Sequence, residues 1–452
     1  MNYLKISWLF SRRRLIIASL LDYVILTILL VLKKNIYHDF LIINLYHIFY
    51  FCIIWSSLSY IFSVYVFRYN LFILDSLKLC IKNSCKLLIS FIIIYLLNSV
   101  FLKIDFLSSR DNIFSINFIV LFIIFTSLFH IFLIFLLHKN DSKDQKWILI
   151  GSSDLYRILN KKIYNCNYKY QILYVDNLET LYKMKIKNRE FRGVIFYSDI
   201  SETNIDLNYL RDNNLAYYHI KDWCQIYIQR FPPEIINPNQ YLRINKLLND
   251  KNLELVLKRI ADITLSSILL IFMTPLLLIF SILIFIEDFG PILYSQLRTG
   301  QDLKIFRIYK LRSMKVNSEQ GAAKWASKND DRISKIGKFI RSTRIDELPQ
   351  LWSVLKGEMS LIGPRPERPE FDDLLIKKIP NYLNRYKIKP GLSGWAQVNY
   401  PYGASEEDAR NKLSYDLYYL ENFSFFLDIL IFFKTIKLVL NAKGSEKGSN
   451  LF

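Results

Sequence analysis

Residues 260–286 read IADITLSSILLIFMTPLLLIFSILIFI. This apolar run is long enough to cross a bilayer, whose hydrocarbon core takes about 20 residues of helix. Yet Lys251, Lys258 and Arg259 precede it, and Arg298, Lys304, Arg307, Lys310 and Arg312 follow. A crossing would export a strongly basic region, against the tendency of Lys and Arg to stay on the cytoplasmic face. At its centre stands Thr274-Pro275, where the proline removes a backbone donor and kinks the helix. The expectation is a re-entrant helix over 260–286 that enters the membrane, breaks at Thr274-Pro275 and returns to the same face. The alternative is a fifth true span with an exported C-terminal region.

Upstream, apolar stretches near spanning length occupy about 15–32, 40–67, 87–102 and 116–137. They predict an N-terminal four-helix transmembrane bundle over 1–140. Arg12, Arg13 and Arg14, then Arg68, Lys78, Lys82 and Lys86, then Lys139, Lys143 and Lys146 sit where the cytoplasmic face is expected; the other two connections carry only Lys33, Lys34, Lys103 and Arg110. Both ends of the bundle are therefore expected in the cytoplasm. The first apolar run continues well past the core of a signal peptide and has no small-residue cleavage site, so it reads as a retained anchor. Asp22, inside the first span, is expected to turn toward neighbouring helices rather than lipid.

Between the apolar regions, residues 145–230 alternate short apolar runs with polar helical stretches: WILIGSSDLYRILNKK, YQILYVDN and GVIFYSD. That is the rhythm of a doubly wound parallel sheet, and predicts an α/β Rossmann-like middle domain. Its glycine fingerprint is poor, because Gly151 stands alone where dinucleotide binding needs three glycines. A structural or regulatory scaffold is expected instead. Residues 231–255, opening with Phe231-Pro232-Pro233, read as a linker.

The 452 residues carry 59 Lys and Arg against 40 Asp and Glu, a formal net charge of +19, with 52% apolar residues. This combination fits a lipid bilayer with anionic headgroups, or phosphorylated ligands, as partners. The five cysteines form no Cys-x-x-Cys pair, and neither Cys nor His occurs after Cys224. Chemistry in the second half must then use carboxylates, Lys, Arg, Tyr or hydroxyls.

Three clusters concentrate that chemistry in 256–452, which reads as a mostly α catalytic module. In QLRTGQDLKIFRIYKLRSM (296–314), cations interleave with apolar residues, suggesting a hairpin that presents them on one side to a diphosphate. In RSTRIDELPQLWSVLKGEMSLIGPRPERPEF (341–371), Asp346-Glu347 precede a short apolar helix that tolerates Pro349 in its first turn and ends at Gly357. Adjacent carboxylates amid arginines suit a nucleophile plus a metal ligand or base for phosphoryl transfer; a plain helix cap is the alternative. In YKIKPGLSGWAQVNYPYG and the segment after it, Pro390, Gly391 and Gly394 mark a tight turn, and Trp395 reads as packing or as an interface anchor. The apolar stretch 423–440 carries Asp428, Lys434 and Lys437, and reads as an interfacial helix or as core.

In this order the clusters resemble the bacterial sugar transferase family, the polyprenyl-phosphate hexose-1-phosphate transferases. The matching pieces are Gln296-x-Arg298-x-Gly300, YKLRSM (309–314), DELPQL (346–351), GPRPERPEF (363–371) and KPGLSGWAQV (389–398). The whole chain resembles the long form of that family: four spans, a Rossmann-like domain, then the catalytic module on a re-entrant helix.

The resemblance implies a bacterial inner-membrane enzyme with its catalytic domain on the cytoplasmic face. It implies Mg²⁺-dependent transfer of hexose-1-phosphate from a UDP-sugar to polyprenyl (undecaprenyl) phosphate, releasing UMP and initiating exopolysaccharide, capsule or O-antigen synthesis. Asp346 would be the nucleophile that carries the phosphosugar, with Glu347 as metal ligand or base and both carboxylates beside the metal. Arg341, Lys310, Arg312, Arg365, Arg368 and Arg298 would bind phosphate and substrate, and a homodimer is implied as well. Departures from the family pattern include Thr274 for a serine, Leu303 for a glycine, Leu311 for a phenylalanine, Glu358 for an aspartate, and Arg344 for a small residue.

Two rival readings differ in what they require. A membrane-anchored nucleotide-sugar dehydratase or epimerase needs a full glycine fingerprint and a Tyr-x-x-x-Lys pair on a helix; the middle region has one such spacing, Tyr217 and Lys221. A non-catalytic assembly scaffold would not depend on Asp346 and Glu347. No nucleic-acid-binding module is recognised.

Overall fold

The computed structural model describes residues 12–36, 45–65, 73–97, 116–141, 145–164, 170–183, 191–197, 207–236, 253–316, 332–400, 403 and 405–440. The ends of the stretches 40–67 and 87–102, and 237–252 of the expected linker, lie outside them. The chain divides into two compact units, Leu9–Asp144 and the part from Gln145 onward.

In the first unit, α1 (Arg13–Ile36), α2 (Leu45–Ile61), α3 (Ile73–Leu97) and α4 (Ile116–Asp141) share an apolar core built on Leu26, Phe51, Trp55, Leu87 and Phe122. Leu20, Phe49, Ile81 and Leu128 point outward, so these helices are apolar on the exposed side as well. Such a surface suits lipid better than water. Asp22 is fully buried and its carboxylate accepts three hydrogen bonds, from His130 Nε2 (2.8 Å), Trp55 Nε1 (3.1 Å) and Tyr65 OH (2.8 Å). It thus turns toward its neighbours, as expected. Among the described residues, two helices are long and apolar enough to cross a membrane, through Leu15–Leu32 and Leu253–Glu287; Phe49–Ile61 and Asn117–Leu133 are shorter apolar helices.

The second unit opens with a parallel sheet of β1 (Gln145–Ile150), β2 (Tyr170–Val175), β3 (Gly193–Phe196) and β4 (Ala216–His219) in the order β2-β1-β3-β4. The connecting helices are α5 (Ser153–Tyr164), α6 (Leu178–Lys183) and α7 (Leu207–Asp212). Trp147 and Ile195 from one face join the large core of this unit, while Ile148 and Val194 from the other face join a smaller one, as period-two alternation requires. Tyr217 lies in β4 and Lys221 in the following helix α8 (Ile220–Trp223), where its ammonium pairs with Glu421 at 3.0 Å. The Tyr-x-x-x-Lys spacing is therefore not on one helix, and the dehydratase reading loses its candidate pair.

The run 260–286 lies within α9 (Leu253–Glu287). The expected break at Pro275 is corrected by the structure: the helix continues through it as one element. A proline deletes a single backbone bond, and Thr274 Oγ1 donates back to Leu270 O (2.6 Å), a pattern that bends a helix without ending it. Both ends of α9 dock on the same unit. Near its start, Lys258 Nζ reaches Ile362 O and Asp428 Oδ2 (both 2.7 Å), and Asp262 accepts from Ser360 Oγ and Leu361 N. Near its end, Ile284 packs with Leu311 and Ile340. Ile271 and Phe272 in the middle are 72% and 66% exposed, whereas Leu269, Leu270 and Leu277 on the same stretch pack against apolar clusters of the unit.

The remainder is an antiparallel hairpin, β5 (Leu293–Thr299) and β6 (Ile305–Leu311), a short parallel pair, β7 (Ser360–Ile362) and β8 (Gly391–Ser393), and surrounding helices. These are α10 (Lys335–Ser342), α11 (Leu351–Lys356), α12 (Pro369–Lys378), α13 (Trp395–Asn399), α14 (Glu406–Glu421) and α15 (Phe425–Leu440). Trp395 is buried: it stacks on Tyr418 and donates its indole N–H to Gln229 O (3.1 Å), so it packs rather than anchors. In α15, Leu427, Asp428 and Ile431 are buried while Phe426 and Leu440 are exposed, so the helix has one core face and one open apolar face.

Candidate active site

Asp346 and Glu347 lie in a 3-10 turn, Ile345–Gln350, wedged between α10 and α11. Ser334 starts α10 by accepting from Gly337 N (2.9 Å), and Gly357, at φ +88, ends α11. Arg344 enters the turn in the left-handed region (φ 59, ψ 20). Pro349 falls in this 3-10 turn, two residues ahead of α11 rather than in that helix's first turn, so its missing donor interrupts no bond of α11. The turn packs on β6, which brings Lys310 to the carboxylates.

The two adjacent carboxylates, both over 90% buried, are treated very differently. Glu347 accepts from Lys310 Nζ (3.0 Å) and from the Arg365 guanidinium, and Arg344 Nη1 stands 3.8 Å from its second oxygen. Burial opposes its charge, but Arg365, Lys310 and Arg344 outweigh burial and hold it well below the usual carboxylate range. No hydrogen bond or ion pair within 4 Å reaches the Asp346 carboxylate among the described residues, although Lys310, Arg341 and Arg365 act on it through space. Burial, then the like charge of Glu347, push Asp346 up to about 6. Paired titratable groups driven apart in this way are the usual sign of divided chemical roles.

Arg365 owes its place to the backbone beneath it. Gly363 and Gly391 lie so close that a Cβ on Gly391 would meet Gly363 N at 2.1 Å, and Gly391 N donates to Pro364 O (2.8 Å). Arg385, itself buried, then holds Arg365 O through Nη2 (2.6 Å) and pairs with Asp416 at 3.3 Å. Reading the sequence missed Arg385 and Asp416. Their signal was an acid in the otherwise apolar run SYDLYYL and an arginine with no assigned partner.

The hairpin register divides the expected cations. Arg298 and Lys310 share the face that also carries Gln296, whereas Arg307 lies on the opposite face beside Ser295 (3.1 Å). The expectation that all would project to one side is corrected by the two-residue period of strands. Arg298 grips Glu367 (3.3 Å), Pro366 O and Gln296, and so braces the loop that bears Arg365 and Arg368. Arg368 sits at the start of α12 with its guanidinium over Phe371 (5.9 Å). Arg341 closes α10 within electrostatic range of Asp346. Arg312 is not brought to the carboxylates: its guanidinium turns to Ile284 O and Asp288 O at the end of α9. Thr274 and Pro275 lie in the middle of that helix, away from the carboxylates' partners.

The arrangement offers a bare buried carboxylate, a neighbour saturated with cations, and basic groups able to accept phosphoryl charge. No group of three or more His, Cys, Asp or Glu suited to a metal occurs among the described residues. Asp346 and Glu347, adjacent in the turn, offer carboxylate oxygens of the kind that hold Mg²⁺ beside a ligand's own phosphate oxygens.

Comparison with known proteins places these features. Residues 253–442 match the bacterial sugar transferase family. The UDP-N-acetylgalactosamine-undecaprenyl-phosphate N-acetylgalactosaminephosphotransferase of Aeromonas hydrophila is 43% identical over 233 residues, covering 52% of this chain and 54% of the relative. The UDP-glucose:undecaprenyl-phosphate glucose-1-phosphate transferase of Klebsiella pneumoniae is 39% identical over 186 residues, covering 41% of this chain and 40% of the relative. The chain thus spans about half or less of the length of these two relatives. The exopolysaccharide production protein PSS of Rhizobium leguminosarum bv. phaseoli is 39% identical over 191 residues, which is 41% of this chain but 95% of the relative. The dyad turn, the cation-bearing hairpin and the Gly-Pro-Arg loop all fall inside the matched region, and the chain belongs to the bacterial sugar transferase family.

Proposed function

We propose that the protein transfers hexose-1-phosphate from a UDP-sugar to polyprenyl (undecaprenyl) phosphate, releasing UMP, as the first step in building an exopolysaccharide, capsule or O-antigen. One observation carries this reading: a buried turn holds one carboxylate bare and its neighbour saturated with cations, beside a long apolar helix. The names of the relatives supply the substrate classes.

In the first step an Asp346 oxygen attacks the β-phosphorus of the UDP-sugar. The bond from that phosphorus to the bridging oxygen breaks, and UMP leaves with the electron pair. In the second step an oxygen of polyprenyl phosphate attacks the same phosphorus and frees the aspartate, giving a polyprenyl-diphosphate sugar. Lys310, Arg341 and Arg365 surround the charge that spreads over the phosphoryl oxygens, and the pairing of Lys310 and Arg365 with Glu347 keeps them placed before the donor arrives. Mg²⁺, held by Glu347 and Asp346 with diphosphate oxygens, would neutralise further charge there. Arg298 and Arg368 shape the loop that carries Arg365, and Arg312 fixes the end of α9 rather than touching phosphate.

The apolar faces of α1 to α4 support a four-helix membrane anchor in the bacterial inner membrane, and the docking of both ends of α9 on one unit supports re-entry from the cytoplasmic side. The sheet order β2-β1-β3-β4 supports a Rossmann-like middle domain, and the family match over 253–442 supports 256–452 as the catalytic domain.

The test incubates membranes containing the protein with polyprenyl phosphate, Mg²⁺ and a panel of UDP-sugars, and scores UMP release beside an Asp346→Asn variant. UMP from one donor, lost in the variant, is the expected result. Folded protein that releases no UMP from any donor overturns the reading.

A further inference from the structure

The catalytic turn is attached to its surroundings with almost no slack. Only Thr343 and Arg344 separate it from α10, and Leu351 of α11 follows Gln350 directly. A displacement of either helix must therefore pass to Asp346. Both helices are held at their far ends, and both holds come from α9. Glu287 Oε1 accepts from Lys335 N (2.7 Å), and both its oxygens accept from Ile336 N (3.3 and 3.2 Å). These are the first two donors of α10, which have no partner within that helix. At the opposite end of α9, Arg259 donates through Nη1 to Val354 O (2.7 Å) and through Nη2 to Leu355 O (2.8 Å), two carbonyls in the last turn of α11. An anion at a helix start and a cation at a helix end each also oppose the local dipole favourably.

We propose that Arg259 and Glu287 are positioning residues: as two jaws of one apolar helix, they grip the catalytic turn from both sides and set where Asp346 stands. The effect on turnover rests on the transferase reading above, whereas the grip itself does not.

The experiment compares the full-length protein in nanodiscs with Glu287→Gln and Arg259→Lys. Glu287→Gln weakens one jaw by removing the charge, and Arg259→Lys weakens the other by removing the two-pronged donor. Amide hydrogen exchange should accelerate across Ile345–Gln350 in both variants, although neither substitution touches that turn. Turnover measured as UMP release should fall roughly tenfold or more with KM for the UDP-sugar little changed, as expected when a reacting group is displaced and substrate binding is left intact. Faster exchange confined to Lys335 and Ile336 in one variant, or to the end of α11 in the other, with turnover at the wild-type level, would overturn the clamp. Wild-type protein that makes no UMP but shows the exchange change sinks the transferase reading and leaves the clamp standing. Should one variant fail to fold, the other decides, since each jaw predicts the same loosening.

Discussion

Two of the chain's buried carboxylate settings, one in each compact unit, stand in contrast. In the first, Asp22 is wholly enclosed and receives donors from Trp55, Tyr65 and His130, so that both its oxygens are used. In the second, Glu347 collects Lys310, Arg344 and Arg365 while Asp346 receives no direct partner among the described residues. The first arrangement is closed: the acceptor is saturated, and three segments of the unit are tied at one point. The second is unequal, with cations in excess on one carboxylate and a reactive oxygen left free on the other. A buried acid whose bonds are complete holds a fold together, and one whose bonds are missing is held ready for something else.

Exchanging roles should break that contrast if it is wrong. Asp346→Asn should lower UMP release about a thousandfold or more, as removal of a covalent nucleophile does, while the thermal midpoint stays level or rises. A large fall in thermal stability would instead make Asp346 a second Asp22. Asp22→Asn should show the reverse, a loss of ~2 kcal/mol in stability, because a buried network loses its acceptor, with unchanged turnover per folded molecule. Thermal unfolding in detergent beside the UMP assay checks both.

Proton dependence sharpens the same point. Asp346 is raised to about 6 by burial and then by Glu347, so below that pH it carries a proton and cannot attack. Single-turnover formation of the phosphosugar-enzyme should fall roughly tenfold per pH unit below about 6 and be flat above it. A limb lying about a unit or more lower would mean that Asp346 is paired after all. The smallest effect belongs to the hairpin. Leu303 sits at φ +60, which crowds its side chain, so Leu303→Gly should leave stability level or raise it by up to ~1 kcal/mol, measured as a small upward shift in thermal midpoint.

Much of this was legible in the residues. Asp346-Glu347 ahead of a short apolar helix, the antiparallel hairpin and the strands of the middle sheet all follow from local patterns. Leu303 stands where the family favours glycine, and its positive φ gives the reason. What local pattern cannot show is the destination of a long side chain. Arg312 and Lys310 are two residues apart in one basic run, yet one caps α9 and the other meets Glu347. Only the packing of α9 against Leu311 decides between them. The continuity of α9 through Pro275 was hidden for a related reason, since a proline's cost is local and the contacts at both ends of the helix oppose it.

The stretch 229–236 lies ahead of the matched region, but it is threaded into the module's interior. Phe231 packs its ring tilted against Tyr418 and its N–H bonds Ser414 O, Gln229 O accepts from the indole N–H of Trp395, and Asn381 reaches Pro233 O and Ile236 O. A hybrid enzyme spliced at residue 253 would keep every residue of the family signature and still leave Trp395 without its acceptor and Tyr418 without the ring of Phe231. The same splice moved to residue 228 would carry the missing pieces along, so the boundary that ancestry draws through this chain is not the one at which it can be cut.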